Sequence, residues 1–284
     1  MSLKHIFGLD HVFLAVRNLE TAAAGWRRLG FTVSPYGAHS AHLGSANHTI
    51  VLEDDYIELL GIVAETEHSR PVIDFLKNRE GVARVAFTTD DAVGGVAELR
   101  GRGIAPIGPV SFSRPVELPD GGRTEARFTV FRWPLDEKPG GVQIFACQHF
   151  TRDAVWIPAL QEHANGATGI VRVEYLVRDP KAAAAHMARL IDEPAAETAD
   201  GHVVRSGGKR ATFLFQDAAT FARRYPEAVR AGVAPDGVAA VVLATRDVAR
   251  ARAVAGAVTH GDGAVIPASL ANGTVLGFVS HSGA

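Results

Sequence analysis

The chain has 284 residues, 47% of them hydrophobic, with 29 basic side chains against 31 acidic ones. That balance lacks the cationic footprint of a nucleic-acid or anionic-membrane binder, and no uncharged apolar stretch is long enough to span a bilayer. Residues 1–7 contain no apolar run of the signal-peptide kind and the lone Cys147 allows no internal disulfide, so a reducing, cytoplasmic setting is expected.

In chain order, the first readable element is the strand that follows Gly8. Period-two alternation puts Leu9, His11, Phe13 and Ala15 on one face and Asp10, Val12, Leu14 and Val16 on the other. Asn18 is a helix N-cap, and Leu19, Ala22, Ala23, Trp26 and Leu29 then recur at helical spacing until Gly30 ends the helix. Residues 31–34, 48–52 and 56–62 read as three more strands, with a small, polar loop at 35–47. Glu58 stands in mid-strand with Tyr56 and Leu60 on its face. A buried carboxylate there must be paired, protonated or bound to a metal.

The same unit recurs three times, in a register set by Gly8, Gly81, Gly169 and Gly237. Four residues on stands Val12, Val85, Val173 or Val241; six on, Leu14, Phe87, Tyr175 or Leu243; ten on, a cap, Asn18, Asp91, Asp179 or Asp247. Constant core and cap positions at a repeat decide the fold class: four βαβββ modules, an α+β chain. After a short helix near 70–76, the second module runs over 81–149, with Pro115, Pro119 and Gly121-Gly122 as turns in a long hairpin and 142–147 as its closing strand. The third and fourth modules span 169–216 and 237–280. Residues 151–168 lack a clean period and read as a connector between a domain at 1–150 and another at 169–284.

With His in a first strand and Glu in a last one, the chain resembles the vicinal oxygen chelate superfamily. More narrowly, Leu9-Asp10-His11-Val12, Gly30-Phe31, Asn47-His48, Tyr56-Ile57-Glu58-Leu59-Leu60, Gln148-His149-Phe150-Thr151 and His163-Ala164-Asn165-Gly166 resemble bacterial glyoxalase-like domain proteins of the glyoxalase, bleomycin-resistance and dioxygenase type. The resemblance implies modules paired into two cupped mixed sheets, with first and last strands supplying ligands to the cup. Carried over residue by residue, it makes His11, Glu58, Gln143 and His48 metal ligands and Glu58 and Arg84 catalytic. Gln143 is aligned with Glu58, and Arg84 with His11. The implied cofactor is a divalent metal such as Mn, Fe(II), Ni or Zn, which would bind two neighbouring substrate oxygens. Arg84 would bind a substrate carboxylate. A dioxygenase needs a second histidine, from His39, His42 or His48.

Plainer readings stand beside these. His11 with Glu58 is alternatively a buried core pair, and Arg84 a salt-bridge partner of Glu58. His149 and His163 read as hydrogen-bonded structural residues, Cys147 as an inert thiol beside the cup, and Arg172 with Glu174 as a simple pair. Arg172, Ala240 and Gly277 at the equivalent places mark the second half as a degenerate copy, serving on one reading as a packing or dimerisation platform. The expected function is a metal-dependent lyase or isomerase, with a dioxygenase as a second form, acting on a small oxygenated metabolite. The alternative is a non-catalytic binding protein of the bleomycin-resistance type. A small-molecule substrate is the expected partner, a homodimer is left open, and neither nucleic acid nor membrane is expected.

Overall fold

The computed structural model describes residues 3–118, 121–208, 210–254 and 256–280, which leaves Pro119 outside the described residues. Four strand-helix-strand-strand-strand units follow one another. The first is β1 (Leu9–Ala15), α1 (Leu19–Arg28), β2 (Gly37–Ala38), β3 (Ser45–Val51) and β4 (Tyr56–Ile62). After α2 (Arg70–Asn78), the second is β5 (Gly81–Thr88), α3 (Ala92–Gly101), β6 (Ile107–Glu117), β7 (Arg123–Arg132) and β8 (Gln143–His149). The third is β9 (Ala167–Leu176), α4 (Pro180–Ile191), β10 (Ala195–Thr198), β11 (Gly201–Arg205) and β12 (Thr212–Gln216). After α5 (Ala218–Arg224) and α6 (Glu227–Arg230), the fourth is β13 (Gly237–Thr245), α7 (Val248–Arg252), β14 (Val258–His260), β15 (Gly263–Ile266) and β16 (Val275–Ser280).

Units pair one with two and three with four. Each pair makes an eight-stranded mixed sheet, in the orders β2-β3-β4-β1-β5-β8-β7-β6 and β10-β11-β12-β9-β13-β16-β15-β14. The four caps act as the repeat requires: side chains of Asn18, Asp91, Asp179 and Asp247 accept from backbone N–H groups in the first turn of α1, α3, α4 and α7. Val12, Val85, Val173 and Val241 are buried on the helix-bearing face of their sheets. Those two faces share one core, in which Phe87 lies 5.7 Å from Phe213 and Phe31 lies 6.2 Å from Phe278. Polar contacts fix the seam: Trp133 Nε1 donates to the Leu190 carbonyl at 3.1 Å and the Ile170 N–H to Asp55 Oδ1 at 3.0 Å. No described helix is long and apolar enough to cross a membrane.

Strict alternation fails at one place common to every unit. Val12 stands opposite Val85, but the register slips between Leu9 and His11 and again between Phe13 and Leu14, leaving Asp10 and Ala83 as extra residues. In the second sheet Val241 stands opposite Val173, and matching slips leave Ala239 and Val171. A bulge turns everything before it onto the other face. Leu9, Val82, Ile170 and Val238 therefore join the helix-side core. Leu9 does not line the cup as alternation predicts, and Asp10, expected on the helix side, turns toward His11 and His149 instead.

Two further local expectations change. Residues 31–34 form no strand: the connector holds the start, where the Thr32 N–H donates to His163 Nδ1 at 3.0 Å and Leu29 O accepts from Asn165, and β3 holds only the end, where the Ser34 N–H donates to Thr49 O at 2.9 Å. Pro115 lies inside β6 opposite Glu125 instead of in a turn. As an edge strand, β6 tolerates a residue without an N–H.

Candidate active site

The cup of the first sheet encloses a cavity of about 920 Å³, its open mouth included. β1 brings His11 to it, β3 brings Asn47, β4 brings Tyr56 and Glu58, and β5 brings Arg84. The hairpin β6–β7 adds Phe112, Arg114, Phe128 and Arg132; β8 adds Phe145 and Cys147; the short β2 stretch and its flank add His39. Val72 of α2 packs with Phe13 and Leu60 at one edge.

Glu58 is the centre of this arrangement. Its Oε1 accepts from Asn47 Nδ2 at 2.6 Å, while His11 Nε2 lies 3.7 Å from Oε2 and His39 Nε2 lies 3.8 Å from Oε1. These two separations exceed a hydrogen bond. No ion pair joins Glu58 to Arg84 among the described residues, so the salt-bridge reading of that pair does not hold.

Behind His11 stands Asp10, displaced to this side by the bulge. Asp10 Oδ1 accepts from His11 Nδ1 at 2.6 Å and His149 Nε2 at 3.0 Å, and Oδ2 accepts from Thr88 Oγ1 at 2.8 Å. Burial alone would raise this carboxyl, but His149 and the hydrogen bonds from both imidazoles hold it well below the usual carboxylate range. A carboxylate fixed on Nδ1–H turns Nε2 of His11 into the cavity, the orientation that a metal ligand or a base needs. Tyr56 stacks on the ring at 4.2 Å, fixing its plane. Burial keeps His39 below its ordinary value, with Arg114 acting in the same sense and Glu58 opposing. A neutral imidazole is the ligating form.

Two imidazole nitrogens face the two oxygens of one carboxylate at distances too long for direct bonding, and two His and one carboxylate are donor types that divalent ions take. As they stand, the three ligand atoms do not all lie within 4.8 Å of one another, so an ion would have to draw the histidines in. Asp10, Cys147 and His149 form a second group, with ligand atoms all within 4.8 Å of one another. That group is less suited as it stands: Asp10 already accepts three bonds, and burial pushes the Cys147 thiol well above its ordinary value.

The remaining residues singled out from sequence lie elsewhere. Parallel pairing sets Phe13 against Glu58 and His11 against Tyr56, whereas β5 and β8 set Ala86 against Phe145 and Arg84 against Gln143. With Val12 opposite Val85, the counterpart of Glu58 is Phe145, and Gln143 answers to Tyr56. Gln143 borders a separate small crevice behind Arg84 and Arg132. His48 points to the helix side between Ala46 and Ile50, where Nδ1 donates to Ser34 O at 2.7 Å and Nε2 lies 3.4 Å from Glu20; a strand cannot turn His48 and Asn47 to one face. Of the loop histidines, His39 reaches Glu58, while the His42 ring packs on His68 at 5.4 Å. Sequence reasoning passed over Arg114 and Arg132, although alternation through Phe112-Arg114-Val116 and Phe128-Val130-Arg132 carries the signal.

The second cup is filled. Phe221 and Tyr225 of α5 and its end, with Val229 of α6, pack on Ala240, Val265 and Val275. Glu174 accepts from Arg172 Nε at 2.7 Å, Arg224 Nη1 at 2.7 Å and Gln216 Nε2 at 2.9 Å. Ala240 and Gly277 stand where His11 and Glu58 stand in the first.

A hypothetical protein from Staphylococcus aureus has this fold over 96% of this chain and 98% of its own, with a TM-score of 0.69 at 11% identity. A mutant 4-hydroxymandelate synthase from Streptomyces coelicolor matches over 87% of this chain and 73% of its own, with a TM-score of 0.54 at 14% identity. Methylmalonyl-CoA epimerase from Mycobacterium tuberculosis covers 55% of this chain and 95% of its own, with a TM-score of 0.41 at 19% identity. No curated protein matches the sequence. The glyoxalase-like domain description matches residues 9–191, a span that takes in the whole candidate site and the first strand and helix of the second sheet. The chain thus belongs to the glyoxalase-like domain family.

Proposed function

We propose that the first cup is the active site of a metal-dependent lyase or isomerase acting on a small oxygenated metabolite. The observation that carries this reading is the line Asp10–His11–Glu58, in which a buried carboxylate orients an imidazole whose other nitrogen faces a second carboxylate across 3.7 Å of open cavity. His11, Glu58 and His39 would hold the ion. When bound, a divalent metal supplies Lewis acidity toward two neighbouring substrate oxygens. Glu58, with Oε1 fixed by Asn47 and Oε2 directed to the cavity, is placed to take or return a proton beside a polarised carbonyl. Arg84 adds a positive charge to the same cavity, suited to a substrate carboxylate. The aromatic lining equally suits a binding protein that holds its ligand without turnover, and metal dependence separates the two.

The test is the metal content of protein purified without chelator, with thermal unfolding as the check on folding. About one equivalent of Mn, Fe, Ni or Zn is expected, lost in His11→Ala and severely weakened in Glu58→Gln while both variants stay folded. Retention of a full equivalent by His11→Ala would sink the assignment, and loss of metal in Cys147→Ser alone would move the ion to the Asp10, Cys147 and His149 group. Asp10→Asn, which weakens the anchor of His11, is expected to reduce metal affinity by about 10- to 100-fold. An unchanged affinity would remove Asp10 from the site.

A further inference from the structure

Arg84, Arg114 and Arg132 reach the same cavity from β5, β6 and β7. Among the described residues no hydrogen bond or ion pair meets any of the three guanidinium groups; Glu58 is the one carboxylate acting on them, through space on Arg84 and Arg114, with the Tyr56 phenol also acting on Arg114. Arg84 and Arg132 line both this cavity and the crevice at Gln143, and the like charge of Arg132 bears on Arg84. Burial and that like charge push Arg84 down to about 10, which leaves it charged at neutral pH. Two desolvated like charges without a counter-ion are unfavourable, and an oxyanion placed between them removes the penalty. Beside the pair the wall is apolar: Arg84 lies over the Phe13 ring at 5.0 Å, and Phe112 stacks on Phe128 at 5.2 Å across the hairpin.

We propose that the cavity takes an amphipathic acid, a small metabolite whose carboxylate or phosphate head lies between Arg84 and Arg132 and whose apolar body runs along Phe13, Phe112 and Phe128 toward His11 and Glu58. This rests on the reading of the first cup as the substrate site, but needs neither metal nor turnover. Glu58 would repel an acid presented head-first to it, and the arginine pair therefore also sets the direction in which the ligand enters. Arg114, on the Tyr56 and His39 side, balances the Glu58 charge.

The experiment is calorimetric titration of the protein as purified with 3-phenylpropionate, phenylphosphate and the uncharged 3-phenylpropanol. At least one acid is expected to bind one per chain, with the alcohol about tenfold weaker or worse, and the preferred acid identifies the head group as carboxylate or phosphate. Arg84→Met and Arg132→Met should each weaken the acid about tenfold or more while the ligand-free melting temperature holds or rises, because an unpaired, partly buried charge is gone. Arg84→Lys, which keeps the charge without the fork, should fall between. Stripping the metal with chelator should leave acid binding to the unsubstituted protein within about threefold, so that the two readings fail separately. The proposal is overturned if neither acid binds, if the alcohol binds as tightly, if both methionine variants retain full affinity, or if both melt markedly lower, which would make the guanidinium groups structural.

Discussion

Glu58 and Glu174 are both buried carboxylates on the cup-facing side of equivalent sheets, yet their surroundings differ in kind. Glu174 is saturated: two arginines, Gln216 and the Tyr225 hydroxyl at 3.3 Å all donate to it. Glu58 has one close donor, Asn47, and two histidines held beyond hydrogen-bond reach. The difference arises from two segments that the repeat does not dictate. The linker between units is α2 in the first half and only edges the cup, whereas α5 and α6 in the second plug it. The second is the hairpin, where β6 and β7 are 11 and 10 residues long while β14 and β15 are 3 and 4. The long hairpin builds a cavity wall and delivers Arg114 and Arg132. One scaffold thus yields a filled core where the linker turns inward and a pocket where the hairpin grows outward.

The sharpest way to break this comparison is to neutralise each carboxylate. Glu174→Gln leaves Arg224 and Arg172 without their counter-charge and is expected to cost about 3–5 kcal/mol in denaturant unfolding, whereas Glu58→Gln is expected to stay within about 1 kcal/mol of the parent. Equal losses would mean that Glu58 is a structural residue too. A smaller effect tests the shared scaffold. Val12→Ala, Val85→Ala, Val173→Ala and Val241→Ala should each cost about 1–2 kcal/mol and should shift one common transition, because the four side chains lie in one continuous core. Two separate transitions, each answering to the substitutions of its own half, would contradict a continuous core.

The smallest effect is the response to acid, which should originate in the first half and its connector. Burial holds His39 and His163 below their ordinary value of 6.5. His163 shows the reason locally, since Nδ1 accepts from the Thr32 N–H and Nε2–H donates to Val51 O at 3.0 Å, and a proton on Nδ1 would break the first bond. Both groups take up protons less readily folded than unfolded. Their contribution is therefore complete above about 6.5 and is lost as pH falls below that value, by at most about 1.4 kcal/mol per pH unit for each. Urea titrations between pH 7.5 and 5 should show this slope, and His163→Gln should flatten it. A slope unchanged by that substitution would place the acid sensitivity elsewhere.

The sequence by itself carried the repeat, since valine, bulky apolar residue and helix cap recur at fixed offsets that local chemistry can read: a carboxylate or amide at an N-cap and a period-two strand act within a few residues. It also carried His11, Glu58 and Arg84 to the cup, because each follows its bulge or lies on a regular strand. What it could not carry was any relation set by distant chain. A bulge is a mismatch between two strands and has no signature within one, so Leu9 and Asp10 were assigned to the wrong faces and Asp10 was separated from the histidine it orients. His39 sits beside a strand of two residues, where alternation has no reach, and only the pairing of β2 with β3 brings it to Glu58. The equivalence of Glu58 with Phe145 rather than Gln143 required the pairing of β5 with β8. Whether a cup is open or filled was decided last, by the packing of linkers and hairpins whose apolar residues would look the same in sequence on either side of a sheet.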